Sequence, residues 1–416
     1  MTIPPTFDGL NPFDDPVDRM LAEIALSLQL PPSLRRQVDG RYEAVRTRLE
    51  STDAFAGAIE HFYPQGSMAI DATISTRGTD DEYDLDIVSQ LGGRFRQMQP
   101  LAILLELEAA LKDYPVQSIR RQTRCVTLNY ADNMHLDITP ALRAYGTLDR
   151  ESFITHAKGP AQSVDDRFVD MNAYGFARWY QGQTPIERRL AKAFDEHWRS
   201  LDGLLAKDAA EVDEIPDATH FLVKNTATLA LQLIKRARNI AYEGMAGRIP
   251  PSVMLSYYAG LAAQPNMRLT DMVIRITAWI VRDIAQASLN RQTLHVANPV
   301  NSDDVFTDRW PESIAQQDAY ASHLKVMIKG LEEMRDHKLS ADAIGEWLRK
   351  HFGDRVVTKA ADRMGRNIGE TIQNARQRYT RTGGLLIPTK GVGVAAAAAL
   401  NPAVTARAHT FFGKKI

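Results

Sequence analysis

Cysteine is nearly absent from this chain: Cys125 is the only one among 416 residues. A disulfide framework within the chain and a zinc site built from cysteines are therefore both excluded. Such low usage fits a reducing cytosol, and we expect Cys125 itself to be a small core residue.

Long apolar runs are also lacking. Residues 272 to 284 are interrupted by Arg275 and Arg282, and residues 392 to 400 are short and mostly alanine. Neither stretch approaches the ~18 apolar residues that a membrane-spanning helix needs. The first eight residues have neither the basic nor the apolar region of a signal peptide. The sequence therefore predicts a cytoplasmic protein without a membrane partner.

An excess of charge of either sign is missing as well. The chain has 50 Lys and Arg residues against 51 Asp and Glu residues. No overall field then attracts a polyanion, so affinity for nucleotides must come from local clusters. Long DNA or RNA is not a favoured partner on this ground.

The order of the predicted elements indicates an α+β fold. Hydrophobic residues make up 44% of the chain, enough for a large core in two domains or one bilobal unit. Helical periodicity covers residues 16 to 50 with a break at Pro31-Pro32, and residues 101 to 111. Strand alternation covers residues 83 to 88, and residues 126 to 130 and 134 to 139 alternate like a hairpin.

From about residue 165 onward the pattern is helical. We therefore expect a catalytic lobe with a mixed sheet and N-terminal helices over residues 1–208, and a helical C-terminal lobe over residues 209–379. Residues 380–416, rich in glycine and alanine, are expected to form a flexible tail.

Two carboxylates fall on one face of the first predicted strand. Alternation from residue 83 to 88 places Asp84 and Asp86 side by side. Hard cations such as magnesium prefer oxygen ligands and keep open positions for substrate phosphates. The pair alone is a weak signal, because three acidic residues precede it and an acidic loop without function is then the simpler interpretation.

Asp137 supplies a third carboxylate. In the strand from residue 134 to 139 it faces away from Leu136 and Ile138, and a charge between such neighbours is costly unless it is paired or metal-bound. If the two strands are neighbours, the three carboxylates can hold two magnesium ions, one activating a hydroxyl and one bridging a triphosphate. This pattern is typical of nucleotidyl transfer.

Gly66 and Ser67 lie at the predicted entry to a helix, with Ser67 seventeen residues before Asp84. Glycine lets the backbone approach a phosphate, and the free amides of a helix start attract anions. Ser67 can cap the helix or donate its hydroxyl to a ligand, so capping without function stays open as the alternative.

Taken in order, these segments resemble the bacterial CD-NTases of CBASS antiphage systems. Those nucleotidyltransferases have a bilobal, polymerase-beta-like core and are related to cyclic GMP-AMP synthase and oligoadenylate synthase. The resemblance covers nearly the whole chain. The matching segments include Gln65-Gly66-Ser67, Glu82 to Asp86, Arg124 to Val126, His135 to Ala141, Leu231 to Arg236, Pro251 to Leu255 and Asn298 to Val300.

The resemblance implies a set of site residues. The catalytic residues and metal ligands would be Asp84, Asp86 and Asp137, holding two Mg²⁺ ions, with Mn²⁺ as the alternative. The residues in contact with the donor triphosphate would be Gln65, Gly66, Ser67, Lys235 and Ser252.

The residues themselves give partial support for the positions in the helical lobe. Lys224 and Lys235 are eleven residues apart, about three helical turns, and so share one face of a helix predicted over residues 219 to 243. A solvated basic face is the alternative for Lys224, whereas the apolar neighbours of Lys235 favour a defined position. Ser252 follows Pro250-Pro251 at a predicted helix start, where an N-cap role explains it equally well.

The activity implied by the resemblance is synthesis of a cyclic oligonucleotide, first of all a cyclic dinucleotide, from ATP, GTP or other nucleoside triphosphates with release of pyrophosphate. Its setting would be antiphage defence signalling. The alternatives are a linear product, nucleotidyl transfer to protein or RNA, and a scaffold that senses nucleotides without turnover. The sequence leaves the bases, the linkage, the ring size and the need for a trigger open.

The tail predicts a partner. Residues 408 to 413 resemble C-terminal segments on which ubiquitin-transfer-like accessory proteins act in related systems, so a CBASS accessory protein is expected to contact the tail. Lys414, Lys415 and Ile416 follow the glycine and depart from that pattern. Conjugation at the terminus therefore stays open.

Overall fold

The computed structural model describes residues 13, 15–30, 32–74, 83–143, 146, 150–205 and 223–373, and three two-residue strands near the end of the chain. Its helices are α1 (Pro16–Ser27), α2 (Pro32–Glu50), α3 (Gly66–Ala69), α4 (Pro100–Leu111), α5 (Ala173–Gln183), α6 (Arg188–Leu205), α7 (Thr226–Ala241), α8 (Ser252–Ala262), α9 (Leu269–Leu289), α10 (Ile314–Arg335), α11 (Ala341–Phe352) and α12 (Asp354–Gln373). Its strands are β1 (Ile59–Pro64), β2 (Tyr83–Leu91), β3 (Ser118–Arg121), β4 (Val126–Asn129), β5 (Met134–Arg143), β6 (Ser152–His156), β7 (Arg167–Met171), β8 (Ala297–Asn298), β9 (Asn301–Val305), β10 (Arg378–Tyr379), β11 (Leu385–Leu386) and β12 (Val404–Thr405).

A mixed sheet of seven strands forms the catalytic lobe. Its order is β1-β2-β5-β4-β3, with β6 paired to β5 and β7 paired to β6. Strands β2 and β5 are parallel, and the other neighbours are antiparallel. The first part of β5 pairs with β4, and its last three residues pair with β6. Together with the helices, this sheet confirms the predicted α+β fold.

One face of the central strands is covered by helices. Leu85 and Ile87 of β2 and Leu136 and Ile138 of β5 are almost fully buried in a core that also contains side chains of α2 and α4. Alternation turns the intervening residues to the opposite face. That second face is therefore available for a site.

The helices after residue 172 build a second core. Buried apolar side chains from α5, α7, α8, α9 and α10 pack together there, and α1 joins them although it lies at the other end of the chain. Helix α1 contacts α7, α9 and α12. The boundary predicted near residue 208 falls in a segment outside the described residues, so the lobe ranges stay a prediction.

The prediction of a helical pattern from about residue 165 onward is wrong in two places. Strand β7 pairs with β6, and β8 and β9 form a short antiparallel hairpin. Both are too short and too polar for a periodic signal, and β9 is fixed instead by Asp304, which accepts hydrogen bonds from Asn172 N at 2.9 Å and Asn298 Nδ2 at 2.8 Å.

The predicted elements of the catalytic lobe agree with the structure. The hairpin from residue 126 to 139 is confirmed, and its turn holds Asn133 at a φ of 61°. No helix in the described part of the chain is long and apolar enough to cross a membrane. The predicted tail lies outside the described residues, apart from the two-residue strands β11 and β12, which both pair with β10.

Candidate active site

Asp86 and Asp137 are direct neighbours in the sheet. Strands β2 and β5 pair in parallel without a shift over nine residues, and this register sets Asp86 opposite Asp137. Parallel strands lie about 4.8 Å apart, so the two carboxylates start from adjacent backbone positions on one face. Both residues are half-buried. The structure therefore brings together two of the three predicted carboxylates.

The third predicted carboxylate, Asp84, lies in β2 opposite His135. Its strand position, two residues before Asp86, is on the face predicted from alternation. The Asp84 side chain lies outside the described part of the structure, so its predicted role stays a prediction.

Thr127 orients the carboxylate of Asp137. It lies opposite Asp137 in the antiparallel pair of β4 and β5, is 6% exposed, and donates its hydroxyl proton to Asp137 Oδ1. One carboxylate oxygen of Asp137 is thereby held in a fixed direction. No sequence motif indicates Thr127, although its position opposite Asp137 follows from the pairing of the predicted hairpin.

Cys125 lies beside the two carboxylates. Burial raises the pKa of its thiol, and the negative charges of Asp137 and Asp86 raise it further. The thiol therefore stays protonated at neutral pH and is not available as a nucleophile. The expectation of a small core residue holds in part, because Cys125 is half-buried.

The turn at Gln65 and Gly66 lies directly beside Asp86. Gln65 follows β1 and donates its backbone N–H to Asp86 O at 2.8 Å. Gly66 then has a φ of +58°, and a Cβ placed on it would lie 2.5 Å from Asp86 Oδ2. Only glycine fits both the backbone conformation and the contact without strain. The turn is thus fixed directly beside one predicted metal ligand.

The side chains on either side of Gly66 also have defined partners. Gln65 donates its amide to Thr139 Oγ1 at 3.2 Å, which ties it to β5. Ser67 Oγ accepts a hydrogen bond from Thr73 Oγ1 at 3.2 Å. Gln65 occupies the cap position of α3, so the interpretation of Ser67 as a helix cap is wrong. The Ser67 hydroxyl keeps its own proton to donate to a ligand.

Lys235 reaches the segment that follows Ser67. Its side chain is 5% exposed, and its ammonium group donates to Ala72 O at 2.9 Å. Ala72 in turn donates its backbone N–H to Ser67 O at 2.8 Å. The helical lobe thereby places a buried cation directly behind the Gly66-Ser67 turn.

The predicted helix face shared by Lys224 and Lys235 is wrong. Helix α7 begins at Thr226, because the side chain of Asn225 accepts a hydrogen bond from Thr228 N and caps the helix there. Lys224 precedes the helix and forms an ion pair with Asp71. Both lysines nevertheless hold the same short segment, at residues 71 and 72.

Ser252 is the first residue of α8, a helix that packs against α3. The cap position belongs to Pro251 and makes no side-chain bond, so the N-cap interpretation of Ser252 is wrong. Instead Ser252 Oγ accepts a hydrogen bond at 3.0 Å from Arg238, which also donates to Pro250 O at 2.7 Å. Arg238 is 5% exposed and fixes the start of α8, a role that no sequence pattern had suggested.

The donor set fits a hard divalent cation. Two carboxylates lie in register on adjacent strands, and Thr127 holds Oδ1 of one of them, so the site offers the carboxylate oxygens that such a cation prefers. No group of three His, Cys, Asp or Glu side chains that could hold a metal converges within the described residues, which do not include the Asp84 side chain. Magnesium is therefore compatible with the two positions that the structure describes.

A mixed sheet with two paired carboxylates beside a glycine-serine turn, joined to a helical lobe, defines the class of nucleotidyltransferases with a polymerase-beta-like fold. Residues 17–155 match the family model of the Second Messenger Oligonucleotide or Dinucleotide Synthetase domain. The cyclic dinucleotide synthase CdnG of Bradyrhizobium diazoefficiens is 48% identical over 406 residues, covering 97% of this chain and 96% of the relative. The chain belongs to this family of CD-NTases, the cyclic dinucleotide synthases, and is a nucleotidyltransferase.

Solved structures agree with this membership. The structure of the Bradyrhizobium diazoefficiens CD-NTase CdnG in complex with GTP superposes with a TM-score of 0.75 at 50% sequence identity, covering 85% of this chain and 100% of that chain. A c-di-GMP synthase of Roseivirga ehrenbergii is 23% identical over 354 residues, covering 84% of this chain and 88% of the relative. The structure of CdnC of E. coli MS115-1 with ATP, at 14% identity and a TM-score of 0.54 over 80% of this chain and 97% of that chain, shares the fold alone. The family predicted from the sequence is confirmed.

Proposed function

We propose that this chain joins two nucleoside triphosphates, with GTP as at least one of them, into a cyclic dinucleotide in a magnesium-dependent reaction. The observation that carries the proposal is the register of Asp86 with Asp137, with Gly66 in contact range of Asp86. Asp84 completes the proposed ligand set, and two Mg²⁺ ions are the proposed cofactor, with Mn²⁺ as the alternative.

The choice of GTP rests on the relatives. The structure of CdnG from Bradyrhizobium diazoefficiens contains GTP, and the more distant relative from Roseivirga ehrenbergii is named a c-di-GMP synthase. We propose that Gln65, Gly66 and Ser67 hold the donor triphosphate from the catalytic lobe, while Lys235 and Ser252 hold it from the helical lobe. Incubation with single and paired triphosphates, followed by mass spectrometry, identifies the bases and the ring size.

In the proposed reaction a ribose hydroxyl of one nucleotide attacks the α-phosphorus of the other. The new O–P bond forms as the bond to pyrophosphate breaks, and the hydroxyl proton passes to the carboxylate of Asp137, which Thr127 orients through Oδ1. Bound magnesium would lower the pKa of the hydroxyl and neutralise charge on the leaving group. A second attack of the same kind closes the ring.

Replacement of the carboxylates tests the proposal. Asp86→Asn and Asp137→Asn should each abolish magnesium-dependent pyrophosphate release while leaving the circular dichroism spectrum unchanged. Asp318→Asn is the matched control, because the Asp318 carboxylate accepts a hydrogen bond from Ser288 Oγ at 2.6 Å on the exposed surface of the helical lobe. Wild-type protein that releases no pyrophosphate from any triphosphate mixture would leave a nucleotide-sensing scaffold as the function. A product that phosphatase degrades would indicate a linear chain instead of a ring.

For the cellular role we propose antiphage signalling in the cytoplasm, with an accessory protein acting at the tail. Membership of the CD-NTase family supports this setting. Deleting residues 400–416 should spare basal synthesis and abolish the response to the partner. Loss of basal synthesis in that deletion would contradict this division of roles, and cells that express Asp137→Asn with the native neighbouring genes should lose protection against phage.

A further inference from the structure

Side chains of helix α7 bind the backbone of residues 71–73, the segment that follows the Gly66-Ser67 turn. Three consecutive backbone carbonyl groups of this segment accept hydrogen bonds from side chains of the helix. Gln232 Nε2 donates to Thr73 O at 3.0 Å and lies 3.4 Å from Asp71 O, and Lys235 Nζ donates to Ala72 O at 2.9 Å. The segment thus cannot move without breaking contacts to the helical lobe.

The amide of Gln232 is itself held in place. Gln232 is 2% exposed, and its Oε1 accepts a hydrogen bond at 2.7 Å from Gln29 Nε2. Gln29 also donates to Ala25 O at 3.0 Å, which anchors the pair to the last turn of α1. With its acceptor side occupied by Gln29, the amide donates through Nε2, which lies 3.0 Å from Thr73 O and 3.4 Å from both Asp71 O and Gln29 Oε1.

Two further hydrogen bonds connect residues 72 and 73 of this segment to Ser67. Ala72 N donates to Ser67 O at 2.8 Å, and Thr73 Oγ1 donates to Ser67 Oγ at 3.2 Å. The same residue, Thr73, therefore accepts from Gln232 with its carbonyl and donates to Ser67 with its hydroxyl. A chain of hydrogen bonds leads from α1 through Gln29, Gln232 and Thr73 to the Ser67 hydroxyl.

We propose that Gln232 is a positioning residue for the triphosphate, acting through Thr73 on the orientation of Ser67. This inference rests on the proposed function, in which the Gly66-Ser67 turn holds the donor phosphates. Without the Gln232 donor, Thr73 O is left as an unsatisfied buried acceptor, and the segment shifts to find another partner. The shift carries the Ser67 hydroxyl with it, because Thr73 is its hydrogen-bond donor.

Gln232→Met tests the inference, because methionine keeps the length of the side chain and removes the donor. We expect the KM for GTP to rise about tenfold with kcat within about twofold, since the lost contact is made equally in the ground state and the transition state. Gln317→Met is the matched control: Gln317 is 0% exposed in the helical lobe, and its amide binds Ser288 Oγ, Gln292 O and Leu294 N. Both variants should lower the melting temperature, but only Gln232→Met should raise KM. Equal KM values for the two variants would overturn the inference.

A smaller change keeps the inference testable if Gln232→Met does not fold. Thr73→Val removes the hydroxyl that donates to Ser67 and retains the shape of the side chain, so KM for GTP should again rise. Thr277→Val is its control, because Thr277 is 0% exposed and its hydroxyl binds only carbonyl groups of its own helix. An unchanged KM in Thr73→Val would refute the positioning role.

Nucleotide binding separates this inference from the proposed function. The dissociation constant of a fluorescent, non-hydrolysable GTP analogue should rise in Gln232→Met and Thr73→Val and stay constant in the two controls. Wild-type protein that binds the analogue but makes no product would contradict the proposed synthesis. The dissociation constants of the variants would then still decide the positioning role. Normal synthesis with equal analogue binding in all variants would contradict the positioning role alone.

Discussion

Gly66→Ala should nearly abolish synthesis at a modest cost in stability. At a φ of +58° an alanine costs about 1–2 kcal/mol in the left-handed region. Its Cβ would lie 2.5 Å from Asp86 Oδ2, whereas ordinary contact begins near 3.4 Å, so the carboxylate must move by about 1 Å. Because a displacement of about 1 Å in a reacting group costs roughly 100-fold in rate, kcat for pyrophosphate release should fall by about that factor.

Gly93→Ala separates the contact with Asp86 from the backbone strain. Gly93 has a φ of +56°, and a Cβ there would meet no atom within 4 Å. Urea unfolding should give a similar loss of stability for Gly66→Ala and Gly93→Ala, and the pyrophosphate assay should give a loss of activity for Gly66→Ala alone. Near wild-type turnover in Gly66→Ala, or an equal loss in Gly93→Ala, would refute the assignment of this contact to the active site.

Three further predictions concern other contacts. Thr127→Val should lower kcat by about 10- to 100-fold with a smaller change in KM, because a hydrogen bond to the charged Asp137 contributes about 1.5–3 kcal/mol; unchanged kcat in steady-state assays would contradict it. Arg238→Met should raise the KM for GTP, because it removes the hydrogen bonds that hold Ser252 Oγ and the start of α8 in place. If the effect acts through Ser252, adding Ser252→Ala to this variant should raise the KM little further. Burial lowers the pKa of His351 in the folded state. As the pH falls, the histidine of the unfolded state is therefore protonated first, and the free energy of unfolding should decrease below about pH 6.5. Urea melts of His351→Phe should show a weaker dependence on pH.

Alternation along two strands was sufficient to predict the carboxylate pair. The apolar positions of β2 and β5 face one core, so Asp86 and Asp137 had to share the other face if the strands were neighbours. Thr127 was predictable in the same way, because the three-residue turn of the hairpin fixes its partner. These relations were predictable because each depends on alternation within one strand or on pairing across a short hairpin.

The contacts between the lobes had no such local signal. Gln232 and Thr73 are 159 positions apart, and only the packing of α7 against the segment brings them together. The start of α7 was predictable in principle, since Asn225 is a favoured cap residue that directly precedes the apolar pattern. The spacing of Lys224 and Lys235 suits a helix equally well on its own, but the cap at Asn225 starts α7 after Lys224.

The apolar face of the sheet determines the geometry of the proposed metal site on the opposite face. Strands β2 and β5 pair over nine residues, and a slip of β2 by one residue would turn Asp86 toward the core that buries Leu136 and Ile138 while Asp137 stayed on the other face. The cost of burying a carboxylate in that apolar core excludes this register. Volume-preserving apolar replacements on the covered face should therefore leave the carboxylate pair in place. A polar residue at position 136 or 138 should reduce synthesis, because it weakens the preference for this strand register and does not contact the substrate itself.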